Sequence, residues 1–261
     1  MLNTTYLLLI TFGALFILGI FHFTIYLQQN DKAFRNYAFY LLVMAAFNVV
    51  RLLDSRVTTL YPLSYYDVET LDPILSNTAF LMYVNFLGVV LNITKAEKFI
   101  YRCWGALQIF VSVSVLLYFL LRIFGDRFHI GTAVITVASF CEMSFGFLMT
   151  FRLLRLRKEI FYQLIIAGTI VSVSGVMAGL FLNVFVYKEN LAFGGLYFLE
   201  ISMMIEAVFL SAALGYRLKM AYLEKEKFQQ TLLEETQKRE ALALQAALVQ
   251  QLEQRRTLCH H

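Results

Sequence analysis

Amide and ionisable side chains standing inside apolar stretches are the residues of this chain with chemistry to offer, because an unpaired polar group costs several kcal/mol in hydrocarbon. They sort by depth. One layer holds Asn48 and Arg51, three apart, with Asn77, Asn183 and Glu200; a second holds Asn85, Glu142 and Glu206; a third holds His22, Asn92 and Gln108. Arg51 and Glu200 are a cation and a carboxylate at similar depth, and a pair between them satisfies both. Two roles fit such a pair: a tie between two spans, or the wall of a pocket open to the outside. A buried Arg beside amides suits a small anion, or a polar molecule with an apolar body, since the guanidinium offers a planar fork of donors. Asn48, Arg51, Asn77, Asn183 and Glu200 are therefore the candidate ligand-binding residues.

Other chemistries fail on composition. A retinal protein needs a lysine in its seventh span for the Schiff base, and residues 196–216 hold none. His22, His129, His260 and His261 show no metal-ligand spacing within the spans, and there is no Gly-rich phosphate cradle. Neither a metal nor a cofactor is expected, and the chain is not read as an enzyme. The odd cysteines Cys103, Cys141 and Cys259 do not suggest a disulfide framework.

The elements that must position these residues are read from hydropathy. The chain is 59% hydrophobic and 15% charged, with 25 Phe and 15 Tyr, which places it among integral membrane proteins. Seven spans are expected: residues 5–28, 37–53, 74–93, 104–124, 131–151, 161–187 and 196–216. With residue 1 outside, the inner loops hold Lys32, Arg35, Lys95, Lys98, Arg102, Arg152, Arg155, Arg157, Lys158, Arg217 and Lys219. The outer loops hold Arg56, Arg122, Arg127 and Lys188, so eleven basic residues against four put the N-terminus outside and the C-terminus in the cytoplasm. The net charge of +4 is thus a matter of sidedness, and no nucleic-acid partner is expected.

Connections are short, so consecutive spans should pack as antiparallel neighbours. The exception is an outer segment, 54–72, with Tyr61, Pro62, Tyr65 and Tyr66 suited to the headgroup belt. Gly168, Ser172, Gly175 and Gly179 share one face of span six, which favours close helix packing. Asn77, Asn85 and Asn92 form a polar seam on span three, better suited to interhelical hydrogen bonds than to conduction.

Span seven continues without Gly or Pro from Arg217 to Arg256, a helix of roughly 60 Å. A three-four spacing from Leu218 runs through Ala221, Lys225, Phe228, Leu232, Glu235, Arg239, Leu242, Ala246, Val249 and Glu253, an imperfect coiled-coil seam. The fold is expected to be all-α, in two parts: a seven-helix sensor bundle over 1–216 and a cytoplasmic signalling helix or coiled coil over 217–261. A homodimer through the tail follows from the seam. Glu206, Arg217, Leu218, Phe228 and Leu232 are the expected transmission residues.

In the first span, Gly13 followed by Leu18, Gly19, Ile20, Phe21 and His22 resembles the glycine and aromatic-histidine signature of the bacterial seven-transmembrane receptors with diverse intracellular signalling modules. The basic turn Asp31, Lys32, Ala33, Phe34, Arg35, Asn36, Tyr37 is similar to theirs. So is the exit of span seven: Ile205, Glu206, Ala207, Val208, Phe209, Leu210, Ser211, Ala212, Ala213, Leu214, Gly215, Tyr216, Arg217. The resemblance implies a receptor in the bacterial inner membrane that detects a small ligand and drives a cytoplasmic output in cis, such as a histidine kinase or diguanylate cyclase. On that reading the chain is the membrane portion of a longer protein, and His260 and His261 are a tag stub or lead into a further domain. A transporter or an integral membrane enzyme is the alternative; the first lacks an internal repeat and the second lacks a nucleophile or metal in the Arg51 layer.

Overall fold

The computed structural model describes residues 4–54, 63–92, 98–124, 128–155, 159–181 and 192–258. Among the described residues seven helices follow one another: α1 (Thr4–Gln29), α2 (Lys32–Leu52), α3 (Tyr65–Val90), α4 (Lys98–Phe124), α5 (Phe128–Arg155), α6 (Ile160–Phe181) and α7 (Ala192–Leu258). All seven are long and apolar enough to cross a membrane, and the chain is a multi-pass membrane protein. It divides into two units, Met1–Leu214 and Gly215–His261.

Within the first unit the apolar pattern is that of a protein dissolved in lipid. In α4 one narrow stripe is buried, Leu107, Val111, Ser114, Tyr118 and Arg122, while Ile109, Val113, Leu116 and Ile123 stay exposed around it. Such exposure is costly in water and free in hydrocarbon. α2 is the most enclosed, with Phe34, Tyr37, Leu41, Ala45 and Asn48 among its buried residues.

In two of the helices that begin earlier than hydropathy suggests, capping chemistry rather than apolarity sets the start. Asp31 accepts from the Ala33 amide at 2.9 Å and opens α2 at Lys32. Ser64 and Asp67 form a reciprocal capping box that opens α3 at Tyr65, so residues 65–72 are helix rather than outer loop. Tyr61 and Pro62 of the expected aromatic cluster lie outside the described residues. The far end of α3 is shorter than expected: Leu91 is the cap, and Asn92 has a left-handed φ of 49°.

This early start puts Pro73 inside α3. Proline has no N–H to give the carbonyl four residues back, which is that of Glu69. Tyr118 of α4 supplies the missing donor, its hydroxyl lying 2.8 Å from the Glu69 carbonyl oxygen. Arg122, one turn along, donates to Thr70 at 3.1 Å and to the Glu69 carboxylate at 3.3 Å. The end of α4 is thereby latched to the first turns of α3.

The expected polar seam of α3 separates into two ties and an end. Asn77 accepts from Ser139 of α5 at 3.1 Å and returns its own amide to the Pro73 carbonyl. Asn85 accepts from Trp104 at 3.2 Å and from Gln108, both on α4. Asn92 lies beyond the helix. The small face of α6 meets α7: a Cβ added to Gly168 would lie 3.2 Å from Phe209, and one added to Gly175 would collide with Ser202.

In the second unit, the side chains from Lys219 to Gln245 are exposed, including Phe228 and Leu242 of the expected seam. Glu235 and Arg239 approach to 3.9 Å, four apart on one face.

Candidate functional site

A cavity of about 420 Å³ lies among α2, α3, α5, α6 and α7 of the first unit. Each helix contributes residues three or four apart, the spacing that keeps one face turned inward. From α2 come Tyr40, Met44, Phe47 and Arg51; from α3, Asp72, Ser76, Ala79, Phe80 and Tyr83. From α5 come Ser139, Met143, Gly146, Phe147 and Thr150, from α6 Thr169, Ser172, Val173 and Val176, and from α7 Leu199, Met203 and Glu206. The volume falls in the range of small-molecule sites, roughly 300–1,000 Å³, and the wall is chiefly aromatic and aliphatic, as such sites are.

Two residues of the cavity wall, Arg51 and Asp72, form an ion pair. Arg51 donates from Nε to Asp72 Oδ1 at 2.9 Å and from Nη2 to Oδ2 at 2.8 Å, a bidentate fork, and its guanidinium lies 4.3 Å from the centre of the Phe47 ring. This corrects the expected pairing with Glu200. Asp72 belongs to α3 because the capping box extends that helix outward, and this brings a carboxylate to the depth of Arg51.

Glu200 is fully buried, yet neither of its carboxylate oxygens has a hydrogen-bond partner among the described residues. Thr11 and Asn48 flank it. Thr11 commits its one hydrogen to the Leu7 carbonyl at 3.0 Å, and Asn48 gives one of its two amide hydrogens to the Met44 carbonyl at 3.1 Å. Of the five residues expected to bind ligand, Arg51 lines the cavity, whereas Asn48, Asn77 and Glu200 do not. Asn183 lies outside the described residues.

Towards the middle of the bundle the wall is a ring of hydroxyls around Glu206. Tyr40 donates to Glu206 Oε2 at 2.8 Å, and the hydroxyls of Ser172 and Tyr83 also face this carboxylate. Tyr83 is hydrogen-bonded in turn to Thr169, which donates to the Ile165 carbonyl at 2.9 Å. Glu206, read from the sequence as a transmission residue, is thus also part of the cavity wall. Asp72, Tyr40, Tyr83, Thr169 and Ser172 were not singled out from the sequence as site residues. Tyr and Thr are common in apolar helices, so only the four-three-four spacing of Tyr40, Met44, Phe47 and Arg51 carried a signal.

Below this ring the core is aromatic. Tyr37 donates to the Ala207 carbonyl at 3.0 Å, and its ring lies against those of Tyr40 and Phe86 at a tilt and that of His22 edge-on. His22 Nε2 and Ser211 Oγ share a hydrogen bond of 3.0 Å. The first-span and seventh-span segments that carry the family resemblance therefore meet in space, although 189 residues separate these two side chains.

A family model described as 7TM diverse intracellular signalling matches residues 4–217. The chain belongs to this family. No curated protein and no solved structure matches it. Members of the 7TM diverse intracellular signalling family carry this bundle as the receptor module of signalling proteins. The match takes in all the cavity-lining residues, from Tyr40 to Glu206, together with the His22–Ser211 contact.

Proposed function

We propose that the bundle is the sensor of a bacterial inner-membrane receptor: a small molecule occupies the cavity, and its arrival is passed through α7 to a cytoplasmic output domain such as a histidine kinase or diguanylate cyclase. The observation that carries this reading is the Tyr40–Glu206 hydrogen bond. Glu206 is a cavity residue, and it stands on the helix that runs on to Leu258. A ligand that loosens or tightens the Tyr40–Glu206 contact changes the rotation or height of α7, and a helix transmits either over its length.

In this reading the excess of basic residues in alternate loops places the C-terminus in the cytoplasm. The exposed apolar positions Phe228, Leu232 and Leu242 are paired in a parallel homodimer, where a seam with charged positions such as Lys225 and Glu235 tolerates two nearly equal packings. The module senses rather than catalyses, and catalysis resides in the output domain.

The test is a fusion of residues 1–258 to a histidine kinase output in membranes. Tyr40→Phe is expected to shift the basal kinase activity severalfold while the bundle stays folded. Kinase activity indifferent to Tyr40→Phe, to Glu206→Gln and to cavity-filling substitutions alike would remove the basis for the proposal.

A further inference from the structure

The polar groups of the cavity wall are committed in one direction. Ser76 donates to the Pro73 carbonyl at 3.2 Å, Ser139 to the carbonyl of Ile135 at 3.0 Å or to Asn77, and Thr150 to the Gly146 carbonyl at 2.9 Å. Thr169 donates to Ile165, and Tyr40 to Glu206. Each of these hydroxyls has given its one hydrogen away and keeps oxygen lone pairs. Glu206 likewise offers oxygen. The cationic fork of Arg51 that meets Asp72 is closed by two bonds to it. An anion drawn to Arg51 would meet the Asp72 carboxylate beside it.

The complementary observation is where unmet polar atoms lie. Among the described residues, buried side-chain atoms without a partner occur on His22, Asn48, Glu142 and Glu200. None of these residues lines the cavity. An anionic guest would find no unpaired cation waiting and would lose its hydration, a cost that an uncharged guest does not bear. The aromatic and methionine side chains, Phe47, Phe80, Phe147, Met44, Met143 and Met203, instead favour hydrocarbon.

We infer that the cavity takes a largely hydrocarbon molecule that is not an anion and whose one polar group is a hydrogen-bond donor, an alcohol rather than a carboxylate. This deepens the receptor reading and rests on it. Of the two guests that Arg51 suggested from the sequence, a small anion or a polar molecule with an apolar body, it keeps the second.

The experiment uses the full chain in lipid nanodiscs, photolabelled with a diazirine analogue of tetradecanol at fixed mole fraction in the lipid. Unlabelled tetradecanol, tetradecanoate and tetradecane compete. The expected result is labelling of the α5 and α6 peptides that contain Met143 and Val173. Tetradecanol should displace the label at about tenfold lower concentration than either competitor, one hydrogen bond being worth on the order of a factor of ten. Val173→Trp, which fills the cavity, should abolish the labelling, and Met143→Phe serves where the tryptophan variant does not reach the membrane.

Tetradecanoate displacing the label as well as tetradecanol does overturns the ligand class and leaves the receptor reading standing. Equal displacement by tetradecane overturns the need for a donor. Labelling that persists in filled variants unfolding at the wild-type temperature puts the alcohol elsewhere and also overturns the inference. If no label reaches α5 or α6, the inference fails, and the receptor reading is then judged separately on the fused kinase.

Discussion

The Tyr118 hydroxyl stands 2.8 Å from the Glu69 carbonyl oxygen, the acceptor that Pro73 leaves without an intrahelical donor. Pro within a membrane helix is tolerated where a neighbouring helix meets the freed backbone group, and here α4 does so.

This relationship predicts a coupling. Tyr118→Phe should destabilise the bundle by about 1–3 kcal/mol, the cost of an orphaned carbonyl. In a Pro73→Ala background the same change should cost much less, because alanine restores the backbone amide donor that proline lacks. Thermal or denaturant unfolding of the four variants measures the cycle, and equal costs in both backgrounds would falsify the assignment.

Arg51 and Asp72 should behave as one unit. Arg51→Ala and Asp72→Ala are each expected to lower stability by on the order of 1–3 kcal/mol, and the double variant should cost little more than either alone. Glu200→Gln should couple to Arg51→Ala less strongly than Asp72→Ala does. A large Arg51–Glu200 coupling would restore the pairing expected from the sequence.

The α6–α7 contact depends on the absence of a side chain. Gly175→Ala introduces a Cβ that collides with Ser202 and lies 3.0 Å from the Phe198 carbonyl oxygen. It should cost roughly 1–3 kcal/mol, partly relieved by Ser202→Gly. Gly13→Ala and Gly105→Ala, where a Cβ meets nothing within 4 Å, should be neutral or slightly stabilising. Folded yield and unfolding temperature separate the two groups.

At the cavity wall, Tyr40→Phe removes a hydrogen bond between α2 and α7 and should cost about 0.5–2 kcal/mol, as interhelical bonds in membranes do. Glu206→Gln should cost less, because its amide oxygen can still accept from Tyr40. Both should alter the output of a fused kinase. A stability change with unaltered output for both would make the contact architectural only.

Two alanines inserted after Leu218 turn the following helix by about 200° and should uncouple a fused output while both parts stay folded. Phe228→Cys and Leu242→Cys in a background without the native cysteines should each cross-link between chains in membranes. Normal regulation in the insertion variant would mean that the stretch after Leu218 is a tether, and absent cross-links would remove the dimer.

Composition and hydropathy alone determined the class and the seven spans, because each depends on a local demand, whereas the family was carried by ordered motifs such as Gly13 to His22 and Ile205 to Arg217. Every stretch in lipid must be apolar along its length and must satisfy its backbone internally, whatever its neighbours are. The small face of α6 was legible for the same reason: residues four and three apart share a side. What the sequence did not determine was which polar group meets which. Glu200 and Asp72 are both carboxylates within reach of Arg51 by depth, and the choice was made by the rotation of the helices and by the early start of α3 at its capping box. The cavity is likewise a product of five helices, α2, α3, α5, α6 and α7, each turning a face whose periodicity was visible but whose direction was not. Hydropathy records how deep a residue sits. Only packing sets the direction in which it points.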